Sequence, residues 1–203
     1  MRNRPPAFEP ERDGTKRAID AAKRAGVERL GRISSVGVEE FAAKWWPAAH
    51  KREADQIVQD SGLTWTVFRP TWFMESLMTM RQKGKVISID LGNDAKLRWL
   101  AGDDFGRMVS HAFANDASRN RITICQGPER LTIPEAAVRF AKAHQPELAI
   151  SRVPLFAMKL AGLFSQKMWY LAHLMEMTRL EFAAFDRLEH PTDLPKATMT
   201  IEE

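Results

Sequence analysis

The sequence predicts an α/β protein, and three observations predict it. Alanine- and charge-rich helical stretches alternate with short apolar runs, the pattern of a sheet with helices packed on it. Those runs are rich in β-branched and aromatic residues, Thr64-Trp65-Thr66-Val67-Phe68-Arg69 being the fullest. Third, 44% apolar and 28% charged residues in a chain of 203 is globular, which excludes collagen-like, disordered and disulfide-scaffold classes.

The elements follow in order. Ala18, Ile19, Ala22 and Ala25 recur on one face, so a helix runs from about Thr15 to Ala25, stopped by Gly26. Val27 to Ile33 is a strand ending in Ser34-Ser35. A helical region covers about Glu39 to Gln59 with an interruption at Pro47. The Thr64–Arg69 strand is ended by Pro70, which cannot donate to a ladder. Trp72 to Met80 reads as a short helix and Lys85 to Asp90 as a strand. Asp103-Asp104 caps a helix through Asn115, and Arg121 to Cys125 is a strand. Thr132-Ile133-Pro134-Glu135 is a capping box with an early proline, starting a helix to about Ala143. Val153 to Leu188 reads as helical and rich in Met, Leu and Phe. His190 to Glu203, with two prolines and little periodicity, reads as loose. The organisation expected is one α/β domain over 1–145, a helical substrate or partner region over 146–190, and a loose tail over 191–203.

Charge and composition narrow the function. Thirty Lys and Arg against 26 Asp and Glu leave +4, too small an excess to demand a nucleic acid. The single Cys125 excludes an internal disulfide and a multi-cysteine zinc site, and fits a reducing compartment. The five histidines show no metal-ligand spacing. The most apolar stretch, Val153 to Phe164, is broken by Lys159 and is shorter than the ~20 residues a bilayer span needs. Met1 to Asp13 mixes both charges with three prolines and carries no signal-peptide pattern. The expectation is a cytoplasmic protein without a metal, a membrane or a nucleic-acid partner.

The order of several short pieces carries a resemblance. Asp13-Gly14-Thr15, Ala25-Gly26-Val27, Ile33-Ser34-Ser35, Ser61-Gly62-Leu63-Thr64-Trp65-Thr66 with Arg69-Pro70, then Phe73-Met74-Glu75-Ser76-Leu77, Gly84-Lys85-Val86-Ile87 and Asp103-Asp104-Phe105-Gly106 resemble the NmrA-like, atypical short-chain dehydrogenases. The likeness runs from about Pro5 to Ala143. It implies a Rossmann fold and NADP or NAD as cofactor. The family opens with a strand, a glycine-rich GxxGxxG turn and a helix that takes the pyrophosphate; the eleven glycines here lie singly and make no such turn. The resemblance therefore implies a partial doubly wound parallel Rossmann sheet lacking its N-terminal strands, on the order of 75 residues, with a helical C-terminal region. The Val27–Ser35 strand becomes an apolar edge free to pair with another chain. Arg32 within it is expected to be an exposed gatekeeper.

Catalysis is where the sequence departs from the family. Short-chain dehydrogenases use a Tyr and a Lys four residues later, the Lys holding the nicotinamide ribose and lowering the Tyr pKa. Lys51 stands where that Lys would be, but Pro47 occupies the Tyr position and the only tyrosine is Tyr170. No catalytic residue is assigned, and whether the protein is an enzyme stays open. His50 is either a substitute acid or a solvated surface residue; one residue along a helix turns its side chain away from Lys51. Ser34, Ser35, Lys51, Pro70, Thr71, Trp72 and Phe73 are the cofactor-binding candidates. The serines equally fit turn capping, and Pro70 to Phe73 equally fit a strand end with packed aromatics. The apolar stripe Leu160, Leu163, Phe164, Met168, Leu171, Leu174, Met175 and Leu180 is either core or a Met-rich groove for a substrate or partner.

The function implied is an NAD(P)-binding oxidoreductase-like protein of the NmrA-like type, its grip on the cofactor impaired by the missing turn and its small-molecule substrate unknown. The alternatives are a cofactor-free regulator that pairs through its sheet edge, as a homo-oligomer or with a partner chain, and a truncated gene product.

Overall fold

The computed structural model describes residues 9–82, 84–92, 95–185 and 194–203. A π-helical turn, Pro10–Gly14, leads into α1 (Thr15–Arg24), followed by β1 (Arg29–Ile33), α2 (Val38–Phe41), α3 (Trp46–Gln59) and β2 (Thr64–Pro70). Then come α4 (Ser76–Thr79), β3 (Arg81–Gln82), β4 (Lys85–Asp90), β5 (Leu97–Trp99) and α5 (Gly102–Ala114). The order finishes with β6 (Arg121–Cys125), β7 (Glu129–Leu131), α6 (Ile133–His144), β8 (Ala149–Pro154), α7 (Leu155–Ala161) and α8 (Gln166–Phe185). The chain gathers into two compact units. One contains residues 9–70 and Gly106–Cys125; the other contains Thr71–Phe105, the described residues from Gln126 through α8, and Lys196–Glu203.

The first unit is a parallel sheet in the order β1-β2-β6. Register sets Leu30 beside Trp65 and Arg32 beside Val67, so these residues share a face with Arg69. That face packs on α1 and α3, where Ile19, Val58 and Val67 form a small apolar core joined by Leu30, Ile57 and Trp65. The other face meets the end of α5. A Cβ added at Gly31 would stand 3.0 Å from the Phe113 ring and 3.2 Å from Phe68, so glycine is what lets that ring approach the strand. Helices on both faces of a parallel sheet make the arrangement doubly wound, as the sequence implied. Among the described residues β1 pairs only with β2, and its last residue, Ile33, is 54% exposed.

The second unit is assembled from smaller pieces. β4 pairs with β3 antiparallel and with β8 in parallel, and β5 pairs with β7 antiparallel. Its core contains Leu77, Leu91, Leu97, Trp99, Ile133, Phe140, Leu155, Met158 and Met175. The capping box forms as read: Thr132 Oγ1 accepts the Glu135 N–H, and Glu135 accepts the Thr132 N–H. Gly127 is indispensable here, because a Cβ would lie 1.5 Å from the Trp99 carbonyl oxygen.

Several expectations are corrected. Pro47 sits in the first turn of α3 instead of interrupting a longer helix, since its missing N–H costs nothing there. The Trp72–Met80 helix shrinks to Ser76–Thr79, because the Trp72 carbonyl accepts the Leu100 N–H and the Met74 N–H donates to the Leu100 carbonyl, a bridge that holds Phe73 extended. The helical region from Val153 is preceded by β8 and split into α7 and α8. The end of the chain is not loose over 196–203. Ile201 is buried in the core, Asp104 Oδ2 accepts the N–H groups of Thr198 and Met199, and Glu202 pairs with Arg139. Residues 191–193 lie outside the described ones.

Candidate cofactor site at the sheet end

The C-terminal end of a parallel sheet is where α/β proteins take ligands. In the first unit that end holds a connected set of charges. Asp55, one turn beyond Lys51 on α3, is 1% exposed and central. Its Oδ1 accepts from Arg32 Nε at 2.9 Å, and its Oδ2 accepts from Arg69 Nη2 at 3.0 Å and from Ser34 Oγ at 2.8 Å. Arg32 continues to Glu11 at 2.8 Å, Glu11 to Lys51 Nζ at 2.5 Å, and Arg69 to Glu39 at 2.7 Å. Hydrogen bonds thus run unbroken from Ser34 through Asp55, Arg32 and Glu11 to Lys51. Three cations and three carboxylates balance. Burial alone would raise the Glu11 carboxyl, but the hydrogen bonds from Lys51 and Arg32 outweigh it and hold it below its ordinary value.

This overturns the exposed gatekeeper. The Arg32 side chain is 11% exposed and doubly paired. A guanidinium with two carboxylates in reach bears near-burial that an unpaired one does not.

Residues 3–99 match a family model described as NAD(P)H-binding. A curated NAD(P)H azoreductase from Xenophilus azovorans is 30% identical over 132 residues, covering 62% of this chain and 44% of the relative. A (4-alkanoyl-5-oxo-2,5-dihydrofuran-3-yl)methyl phosphate reductase from Streptomyces griseus is 29% identical over 138 residues, covering 66% of this chain and 48% of the relative. The chain thus spans less than half the length of these curated relatives. Among solved structures, an NADPH-dependent quinone oxidoreductase from Escherichia coli, complexed with NADPH, superposes with a TM-score of 0.70 at 17% identity, covering 98% of this chain and 71% of that one. The fold is that of the NAD(P)-binding Rossmann proteins.

The matched family model and the NADPH-bound neighbour support NAD or NADP as the cofactor. The residues present fit the ribose end of such a nucleotide: Lys51 Nζ is half-buried at the sheet end and already holds an acceptor oxygen, the carboxylate of Glu11. They do not fit the diphosphate. Among the described residues the glycines with positive φ (Gly26, Gly37, Gly62, Gly84 and Gly92) stand one to a turn. A cradle of consecutive free N–H groups needs them clustered.

The other candidates divide between the units. Ser34 is buried, its hydroxyl taken by Asp55 and its N–H by the Phe68 carbonyl; Ser35 is half-buried beside it. Pro70 is buried, and its carbonyl receives the Val36 N–H at 3.5 Å. Ser34, Ser35, Lys51 and Pro70 belong to the first unit, whereas Thr71, Trp72 and Phe73 belong to the second. Trp72 packs edge-on against Trp99 at 6.2 Å and Phe73 against Phe105 at 5.3 Å. His50 is not a solvated surface residue: it is 6% exposed, against the Trp46 ring, with Nδ1 3.5 Å from Glu9.

Sequence reasoning missed Asp55, Glu11 and Arg69 as members of the network. The spacing of Lys51 and Asp55 on α3 was a usable signal, since residues four apart share a helix face. Glu11 carried none, because only the fold brings the turn before α1 beside α3.

Proposed function

We propose that this chain is the nicotinamide-end portion of an NAD(P)-dependent reductase of the NmrA-like, atypical short-chain type. The observation that carries the proposal is the hydrogen-bonded run from Ser34 to Lys51 at the C-terminal end of the sheet. Lys51 would hold the nicotinamide ribose, with Ser35 and the Pro70 strand end beside it. Thr71, Trp72 and Phe73, in the second unit, stay separate candidates for contact with a cofactor. Ser34 acts at one remove: it fixes Asp55, which fixes Arg32 and, through Glu11, the ammonium of Lys51. When bound, the cofactor supplies a hydride to a small organic acceptor. The printed activities of the relatives, which reduce azo and other organic compounds, support that direction of transfer. No side chain is assigned as proton donor, because Pro47 stands where the family has its tyrosine.

Without a diphosphate cradle, the chain binds NADPH in the millimolar rather than the micromolar range. Titration followed by tryptophan fluorescence and calorimetry tests this. Weak saturable binding that disappears in Lys51→Met supports the assignment. Micromolar affinity overturns the impairment, and binding indifferent to Lys51→Met overturns the site.

The second reading is a cofactor-free interaction protein, favoured by β1 being paired, among the described residues, on one side only with Ile33 exposed. It requires a stable oligomer or complex through that edge. A monomer by light scattering, unchanged by Arg29→Pro, counts against it.

A further inference from the structure

The apolar stripe of the C-terminal region divides in the structure. Met168, Leu171, Leu174 and Met175 pack into the core of the second unit. Leu160, Leu163 and Phe164 face outward and are joined by Phe156, with exposures of 58%, 60%, 91% and 67%. Phe156, Leu160 and Leu163 recur at helical spacing, so they form one face of α7 and its continuation, with Phe164 at the turn into α8. Single exposed leucines are ordinary on a protein surface; a contiguous group of this kind marks a contact.

We propose that this α7–α8 tip docks on an anionic lipid surface. Two properties select that occupant over a second copy of the chain. The first is charge. No Asp or Glu occurs between Glu147 and Glu176, whereas Arg152, Lys159 and Lys167 do. Glu176 accepts Lys159 at 2.5 Å and Arg179 at 2.7 Å, so that group keeps one net positive charge, and Lys167 adds another. A second copy would set these cations against their own like; anionic headgroups neutralise them. The second is area. Four such side chains, about two-thirds exposed, present on the order of 450 Å², roughly half of the ~800 Å² per partner in a stable protein interface. A bilayer surface makes no such demand, because each inserted side chain gains by itself. Trp169 and Tyr170 start α8 beside the tip, and tryptophan and tyrosine favour the headgroup level. Among the described residues no helix is long and apolar enough to cross a membrane, so the contact is peripheral.

Co-sedimentation of the full chain with vesicles of phosphatidylcholine, alone and mixed with phosphatidylserine, tests the proposal. The chain should partition onto the mixed vesicles, less so as salt is raised. Phe164→Glu should lower the partition about tenfold, and Lys167→Gln about fivefold. Both sites are exposed, and circular dichroism checks that the variants fold. No binding to either vesicle, or equal binding to both, overturns the proposal. So does a concentration-dependent dimer, seen by sedimentation velocity, that Phe164→Glu abolishes, since the occupant is then a second copy.

Discussion

Where the first unit sets a carboxylate between two guanidinium groups, the second sets tryptophan among leucines. Asp55 at the sheet end of the first is as buried as Trp99 in the core of the second, yet each is held by different physics. The apolar core of the first unit is small, with Ile19, Val58 and Val67 at its centre. Its sheet end is specified by which charges meet, and charge pairs contribute little net stability while being costly to break. The second unit is specified by fit, over a core that also draws in Ile201 from the end of the chain. The part of the molecule that carries the proposed cofactor site is therefore the part whose integrity depends on ionisation. The comparison predicts different responses to substitution, salt and pH.

The largest effect belongs to the second unit. Gly127→Ala forces a methyl group into the Trp99 carbonyl and should cost more than about 4 kcal/mol, read as loss of soluble expression or a collapsed urea midpoint. Trp99→Ala should cost about 3–5 kcal/mol through the cavity it leaves, and its midpoint should shift equally at low and high salt. Asp55→Ala should cost a similar ~3–5 kcal/mol by stranding Arg32 and Arg69. Its loss should differ with salt, and an Asp55→Leu, Arg32→Met, Arg69→Met triple variant should recover most of it. If Asp55→Ala is silent, the contrast between the units fails.

Smaller effects sharpen the same contrast. Thr132→Ala removes the cap of α6 and should cost about 1 kcal/mol at any pH where Glu135 is ionised, measured by urea unfolding. Glu11 supplies the pH dependence. Its carboxyl is held lower in the folded chain than its ordinary value of 4.5, so its contribution is full above that value and lost as the pH falls through the lower folded value. Because Glu11 is a third exposed, this amounts to no more than about 1 kcal/mol after solvent screening. Glu11→Gln should flatten the stability curve below pH 4.5, and the β2 amides, by hydrogen exchange, should lose the same acid sensitivity.

The sheet-forming strands of the first unit were legible before any coordinates. Thr64 to Pro70 and Arg121 to Cys125 carry their own β-branched signal, and the helix start at Thr132 is written in four residues. The short strands Leu97–Trp99 and Glu129–Leu131 were not, since three residues have no period and become strands only through each other. The candidate site was half legible. Ser34 and Lys51 follow from the resemblance, whereas the carboxylates that join them, Asp55 and Glu11, come from two separate elements.

Local chemistry, then, settled by sequence alone the strands Thr64–Pro70 and Arg121–Cys125, the helix stop at Gly26 and the helix start at Thr132, and that no clustered glycine turn lies along these 203 residues. Propensity, capping and periodicity act within a few residues and need no partner. Only the tertiary structure decided that Arg32 is paired instead of exposed, that His50 is covered, that the last eight residues are docked, and which half of the Met- and Leu-rich stripe faces out. Burial and ion pairing are properties of whichever groups the folded backbone brings together, and a distance along the chain of 40 residues, as between Glu11 and Lys51, says nothing about that.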